Sequence, residues 1–306
     1  MKKYILKIVL FFGIVVVIDF GFGMACEWLL DHARGGEMKS IKQTAMEQNA
    51  DIVILGSSRA HHHYVPSVLA DSLGLIAYNG GVDGNGIVLA WGLYQMITDR
   101  YYPKLLIYDV TTGFDIQENP ADGKDIRYLG NLRPYSMNSK INSIVSRIDP
   151  LERYKCISAM FRYNSKIVDL VKDQLSSRGL STDGYCPLFG ELKGKAIPRA
   201  DELLPTDNLK LEMLEKLVSK TKHDNVKIVV VASPKRGAVS SYAFLPIRDV
   251  CMRYNIEFWD YYTDSCFQRN DYFQDNVHLN DKGAKAFTGV IAHRLLNNKD
   301  LNIKNQ

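Results

Sequence analysis

The sequence has no dense lysine–arginine tract and no basic stripe interleaved with aromatic residues. Its 38 Lys+Arg against 34 Asp+Glu leave a formal charge of only +4. The electrostatic footprint of a nucleic-acid binder is therefore missing. No Cys-x-x-Cys pair and no Cys/His spacing of the zinc-binding kind occurs, so no metal site is expected. A dinucleotide-binding Gly-x-Gly-x-x-Gly turn with an acidic ribose partner is also absent, and no cofactor is expected. There are no internal repeats. Cysteine is sparse, at five residues. Cys26 falls in the apolar N-terminus, while Cys156, Cys186, Cys251 and Cys266 allow three pairings into two disulfides, or four unpaired thiols. What remains is ordinary for a globular protein: 46% hydrophobic and 24% charged residues in 306, enough for one large α/β domain with appendages.

The N-terminus departs from that average. Lys2, Lys3 and Lys7 precede an unbroken apolar run, Ile8–Ile18; Asp19 interrupts it, and Phe20–Leu30 is again mostly apolar with Glu27 as a second polar residue. The clean run alone has the length of a signal-peptide core. Counted through Asp19 to Ala25, the segment reaches the roughly 20 residues that span a bilayer. Gly23-Met-Ala25 is a poor cleavage site, and Cys26 lacks a large aliphatic residue three positions before it. Residues 1–30 are therefore expected to be an uncleaved signal anchor. The lysines place its start in the cytoplasm and the remainder outside, in the periplasm or cell envelope. Asp19 is expected at the membrane interface, with a partner role for another membrane segment as the alternative, and residues 31–50 as a polar connector with a short helix.

The chain is organised around Asp51-Ile-Val-Ile-Leu-Gly-Ser-Ser-Arg-Ala60. Its β-branched first half predicts a buried strand of a parallel sheet. Gly56 ends the strand, and Ser57 and Ser58 occupy the turn at its carboxyl end, where α/β proteins place their chemistry. Far downstream, Asp275-Asn-Val-His278 offers a base and an orienting carboxylate three residues apart. Together, Gly56-Ser57-Ser58 resembles the Gly-Asp-Ser block of the SGNH (GDSL-like) hydrolases, and Asp275-x-x-His278 resembles their C-terminal Asp-x-x-His block. The resemblance implies Ser58 as nucleophile, His278 as base and Asp275 as its orienting acid. It also implies that the glycine-rich Asn79–Gly86 loop is the second block, with the amides of Gly84 and Ser58 forming an oxyanion hole. The third block departs from the family. After the Lys104–Val110 strand comes Thr111-Thr112-Gly113-Phe114-Asp115, with no asparagine at the expected place. Either a threonine hydroxyl replaces that donor or the two backbone donors act alone. Arg59, Asn79, Thr111 and Thr112 are candidate pocket residues. The triplet His61-His62-His63 is expected to pack or face solvent rather than bind metal, because consecutive residues do not converge on one ion and no acidic cluster lies nearby. Since the stretch leaves the serine turn directly, one of the three is also a candidate to line the pocket.

The remaining elements follow the βα rhythm. Helices are predicted at Ser67–Leu73, Ile87–Thr98, Asn208–Thr221, Ala243–Tyr254 and Lys282–Leu296. Strands are predicted at Leu73–Tyr78, Val226–Ala232 and Ile256–Asp260. The expected fold is a flavodoxin-like three-layer α/β/α sandwich with a parallel five-stranded sheet over residues 51–300, after a transmembrane helix. Residues 116–200, with Pro120, Pro134 and Pro150, interrupt the rhythm as a lid-like insertion. It carries predicted helices at Asn138–Ile148 and Leu151–Asp173, and Tyr128, Tyr135, Tyr163 and Tyr185 for sugar or lipid contacts or for cores. The expected function is a serine esterase of O-acyl esters of envelope or other glycans. An O-acyltransferase using the same triad and a non-catalytic envelope scaffold are the alternatives. The expected partners are a small-molecule or glycan ester and the membrane.

Overall fold

The computed structural model describes residues 1–118, 126–175, 181–298 and 301. The chain divides into two compact units, Met1–Lys42 with Asp125–Leu180, and Gln43–Lys124 with Ser181–Gln306.

The second unit is α/β. Five strands, β1 (Ile52–Gly56), β2 (Ala77–Asn79), β3 (Leu105–Asp109), β4 (Lys227–Ala232) and β5 (Glu257–Asp260), form one sheet in the order β2-β1-β3-β4-β5. Every neighbouring pair is parallel. This is the flavodoxin-like order, in which the crossovers reverse direction at β1/β3 and open a crevice at the carboxyl ends there. Both faces are covered by helices, so the strands read as apolar runs: every residue of β1 and β3 is buried. One layer packs Tyr64, Leu69, Phe287 and Ile291 against Ile52, Ile54, Ile107 and Val231. At about 25 cal/mol per Å² of apolar surface removed from water, such burial is the main stabilising term.

Gly56 ends β1 for a steric reason. Its φ is +148°, and a Cβ there would run into the backbone carbonyl of Asp109 on β3. Only glycine lets the chain turn this close to its neighbour. The second predicted strand is shorter than expected. The preceding helix, Pro66–Leu73, runs on to Leu73, and Gly74 caps it in the left-handed region with its N–H on the Ala70 carbonyl. That leaves three residues for β2.

The first unit is helical. Lys2–His32 is one continuous helix. Its 18-residue apolar core has a mean hydropathy of 2.5 with none of that window buried, which is long and apolar enough to cross a membrane. The expected single helix over Leu151–Asp173 is instead three short ones, Glu152–Lys155, Ala159–Tyr163 and Ile167–Gln174. The first of the two breaks lies at Ser158, whose hydroxyl accepts the Phe161 N–H as an N-cap. Asp19 completes this cap. Its carboxylate accepts the Ser158 hydroxyl at 2.6 Å and the N–H groups of Ala159 and Met160 at 2.8 and 2.9 Å. Asp19 is thus a partner for another helix.

The predicted insertion is shared between the units: residues 126–175 belong to the first and 181–200 to the second. Tyr163 and Tyr185 are buried; Pro120 and the Tyr128 side chain lie outside the described residues. All five cysteines are free thiols, with Cys26, Cys156 and Cys251 buried.

Candidate active site

The turn after β1 opens directly into a short helix, Ser58–His63, with Ser57 as the extended residue before it. The two serines therefore point differently. The Ser57 hydroxyl is buried with no partner among the described residues. The Ser58 hydroxyl lies 2.8 Å from His278 Nε2. His278 Nδ1 lies 2.9 Å from Asp275 Oδ2, while Asp275 Oδ1 accepts the N–H groups of Val277 and His278, both at 2.7 Å. Partial burial works to raise the Asp275 pKa, but hydrogen bonds from the His278 ring and the two amides outweigh it and hold the carboxyl at about 2. An ionised Asp275 fixes the proton of neutral His278 on Nδ1 and leaves Nε2 as the acceptor for the serine proton. These groups come from opposite ends of the unit, 220 residues apart.

Beside Ser58 is a cavity of about 130 Å³ bordered by Arg59, Thr111, Phe114, Lys235, Tyr262 and Val277. Arg59 is 3% exposed. Its guanidinium donates to the carbonyls of Val110 and, at 3.2 Å, Ser233, sits 3.7 Å from Asp109 Oδ1 and covers the Tyr262 ring at 5.2 Å. It therefore ties together the ends of β3 and β4 while forming one wall. Neither threonine offers a free hydroxyl proton. Thr111 donates through both its N–H and its hydroxyl to Asp115 Oδ2, at 2.5 and 3.2 Å, and the Thr112 hydroxyl donates to Asp201 Oδ2 at 3.2 Å. Burial lifts Asp115 to about 6, against the Thr111, Tyr108 and Ile87 hydrogen bonds that favour its charge.

Two candidate residues lie elsewhere. Asn79 is fully buried and outside the cavity. Its side-chain amide donates to the carbonyls of Ala60 and Tyr64 at 2.8 and 2.9 Å and accepts the Gly81 N–H at 3.0 Å, fastening the loop that follows β2 to the helix that Ser58 begins. Gly84 takes a φ of +66° in that loop and does not border the cavity.

The histidine triplet divides into two roles. His63 is fully buried, and burial followed by the nearby Arg59 charge pushes its pKa well below the usual value. Its Nε2 accepts the Leu279 N–H at 3.0 Å, so its proton sits on Nδ1, 2.9 Å from Ser233 Oγ. His61 and His62 turn toward one acid. Asp83 Oδ1 lies 2.9 Å from His61 Nδ1 and 3.3 Å from His62 Nε2, while His62 Nδ1 donates to the Cys186 carbonyl at 2.7 Å. Burial alone would depress His62; the bonds to Asp83 and Cys186 prevail and raise it to about 10. The two rings stack with centroids 4.8 Å apart. The donor atoms of His61, His62 and Cys186 lie within 4.8 Å of one another, so these residues could hold a thiophilic cation once Asp83 releases the imidazoles.

Sequence reasoning missed Lys235, Tyr262 and Asp201, and His63 packs as expected. Lys235 and Tyr262 follow the carboxyl ends of β4 and β5, a position that marks a residue for attention. Asp201 accepts hydrogen bonds from both; it sits in irregular chain, where no periodicity or motif signals it. No protein-family model matches this chain, and no curated protein matches it.

Proposed function

We propose that this protein is a membrane-anchored serine esterase of the SGNH type, acting outside the cytoplasm on short O-acyl esters. The observation that carries the reading is the contiguous hydrogen-bonded series Ser58–His278–Asp275 at the carboxyl edge of β1. His278 takes the Ser58 proton as the hydroxyl oxygen attacks the ester carbonyl, and Asp275 stabilises the imidazolium that forms. His278 then returns the proton to the leaving alcohol, and water releases the acyl group by the same steps in reverse. With both threonine hydroxyls committed to carboxylates and Gly84 outside the cavity, the Ser58 amide is the donor assigned to the oxyanion. The cavity beside Ser58, about 130 Å³ and open to solvent, accommodates a small acyl group. The apolar N-terminal helix serves as the anchor, and Lys2, Lys3 and Lys7 assign its start to the cytoplasmic side. An acylated envelope glycan is the substrate that this location favours.

The full chain in detergent, treated with a fluorophosphonate probe, tests this. Labelling of the wild type but not of Ser58→Ala is expected, followed by release of acetate from acetylated glycans. Absence of labelling in folded protein overturns the proposal.

A further inference from the structure

The Asp19 cap fixes the depth of the helices that surround it. An α-helix rises 1.5 Å per residue, so about 20 residues fill the 30 Å hydrocarbon layer. Two registers fit the N-terminal helix. If the layer runs from Ile8 to Glu27, Asp19 lies about 12 Å inside its outer edge; if it runs from Tyr4 to Gly23, about 6 Å. The exposed Trp28 is the aromatic expected at the outer interface, nine residues beyond Asp19. In each register the carboxylate lies at or below the outer boundary of the apolar layer.

A carboxylate at that depth is tolerable only if its charge is answered, and here it is. Ser158, Ala159 and Met160 donate to it, and the start of the Ala159–Tyr163 helix therefore sits at the same level. Gly23, one turn further along, admits this helix closely: a Cβ there would stand 2.8 Å from the Ala159 Cβ. The side chains at this end of the helix are apolar yet uncovered. Ile157 and Met137 are each 74% exposed, and Tyr154 is 63% exposed. They belong to one locality, because the Arg162 guanidinium bonds the carbonyls of Cys156 and Ile157 at 2.9 and 3.2 Å and touches Met137 Sδ at 3.5 Å. Exposed apolar clusters of this kind mark an interaction surface.

We infer that Met137, Tyr154, Ile157 and Met160 form a second membrane-contacting surface, a collar seated in the outer leaflet around the N-terminal helix. The occupant is lipid, because Asp19 fixes these residues to a helix already in the bilayer. The Ala159–Tyr163 helix can enter because Asp19 and Ser158 accept its first three N–H groups, so those donors do not face hydrocarbon. The inference rests on the anchor assignment above.

Tryptophan variants of the full chain, reconstituted in phosphatidylethanolamine–phosphatidylglycerol vesicles with brominated acyl chains, separate the two claims. Fluorescence added over wild type is read for Ile157→Trp and Met137→Trp, and for Val16→Trp in the membrane helix. All three are expected to lose most of that added signal to brominated lipid and to resist aqueous iodide. Quenching of Val16→Trp alone, with the other two open to iodide, overturns the collar and leaves the anchor standing. If Val16→Trp is also untouched by brominated lipid, the anchor falls and the collar with it.

Discussion

His63 Nε2 accepts the backbone N–H of Leu279, the residue after His278, at 3.0 Å. His63 is the last residue of the helix that Ser58 begins, so one short helix carries the proposed nucleophile at its start and a clamp on the base-bearing loop at its end. His63→Ala should leave the Leu279 N–H and the Ser233 hydroxyl without that partner, costing about 1–3 kcal/mol of stability. An acyl-transfer rate about 10- to 100-fold lower is expected as His278 shifts by a fraction of an ångström. A positioning role predicts loss in kcat with KM little changed; steady-state kinetics on a chromogenic acetate ester decide it, and an unchanged kcat refutes it.

The serines are separable. Ser58→Ala should abolish fluorophosphonate labelling, whereas Ser57→Ala should retain it, because the Ser57 hydroxyl is buried and bonded to nothing among the described residues. Gel fluorescence of the two labelled variants gives the answer. Loss of labelling in folded Ser57→Ala contradicts the assignment.

The His62–Asp83 contact should make stability depend on pH. His62 is raised from 6.5 to about 10 in the folded chain, so the folded state holds this proton more tightly than the unfolded one. Its contribution is complete below pH 6.5 and is lost as pH climbs through 10. Thermal melts in detergent from pH 6.5 to 10 should therefore decline more steeply for wild type than for His62→Gln. Parallel slopes would refute it.

Asp19→Ala should loosen the 158–163 segment, since three donors lose their acceptor at once. Loss of a cap costs about 1–2 kcal/mol. Hydrogen exchange at Ala159 and Met160 in reconstituted protein is expected to accelerate, with amides of β1 and β3 unaffected. Unchanged protection at both amides would show that the cap carries no energy.

Gly56→Ala should fail more severely, as its methyl meets the Asp109 carbonyl and its φ is unfavourable for any side chain. Little or no folded protein is expected by gel filtration, and a well-folded variant with native labelling would count against this account of the turn.

Much of the sheet was legible because its strands are buried on both faces and therefore apolar throughout; β1, β3 and β4 need no tertiary information to be recognised. Ser58, His278 and Asp275 were legible as types in two short blocks, and the fold explains how a separation of 220 residues becomes 2.8 Å. Contacts made by individual polar side chains across long sequence separations were not legible. Nothing in the local pattern shows that Asp19 would cap a helix 139 residues later, nor that His63 would hold Leu279. The first helix break, at Ser158, was hidden for the same reason, because serine tolerates a helix interior until an outside carboxylate rewards the cap.

The two oxygens of Asp275 divide their labour, one holding amides of its own turn and the other the imidazole. Acid and base thereby form a self-contained cassette of four residues, aligned before the rest of the chain is considered. Only a single adjustable gap, from Ser58 to His278, is left for the fold to set. A displacement of this cassette would disengage the serine while keeping its own internal alignment intact, so re-engagement would need no rebuilding of the base.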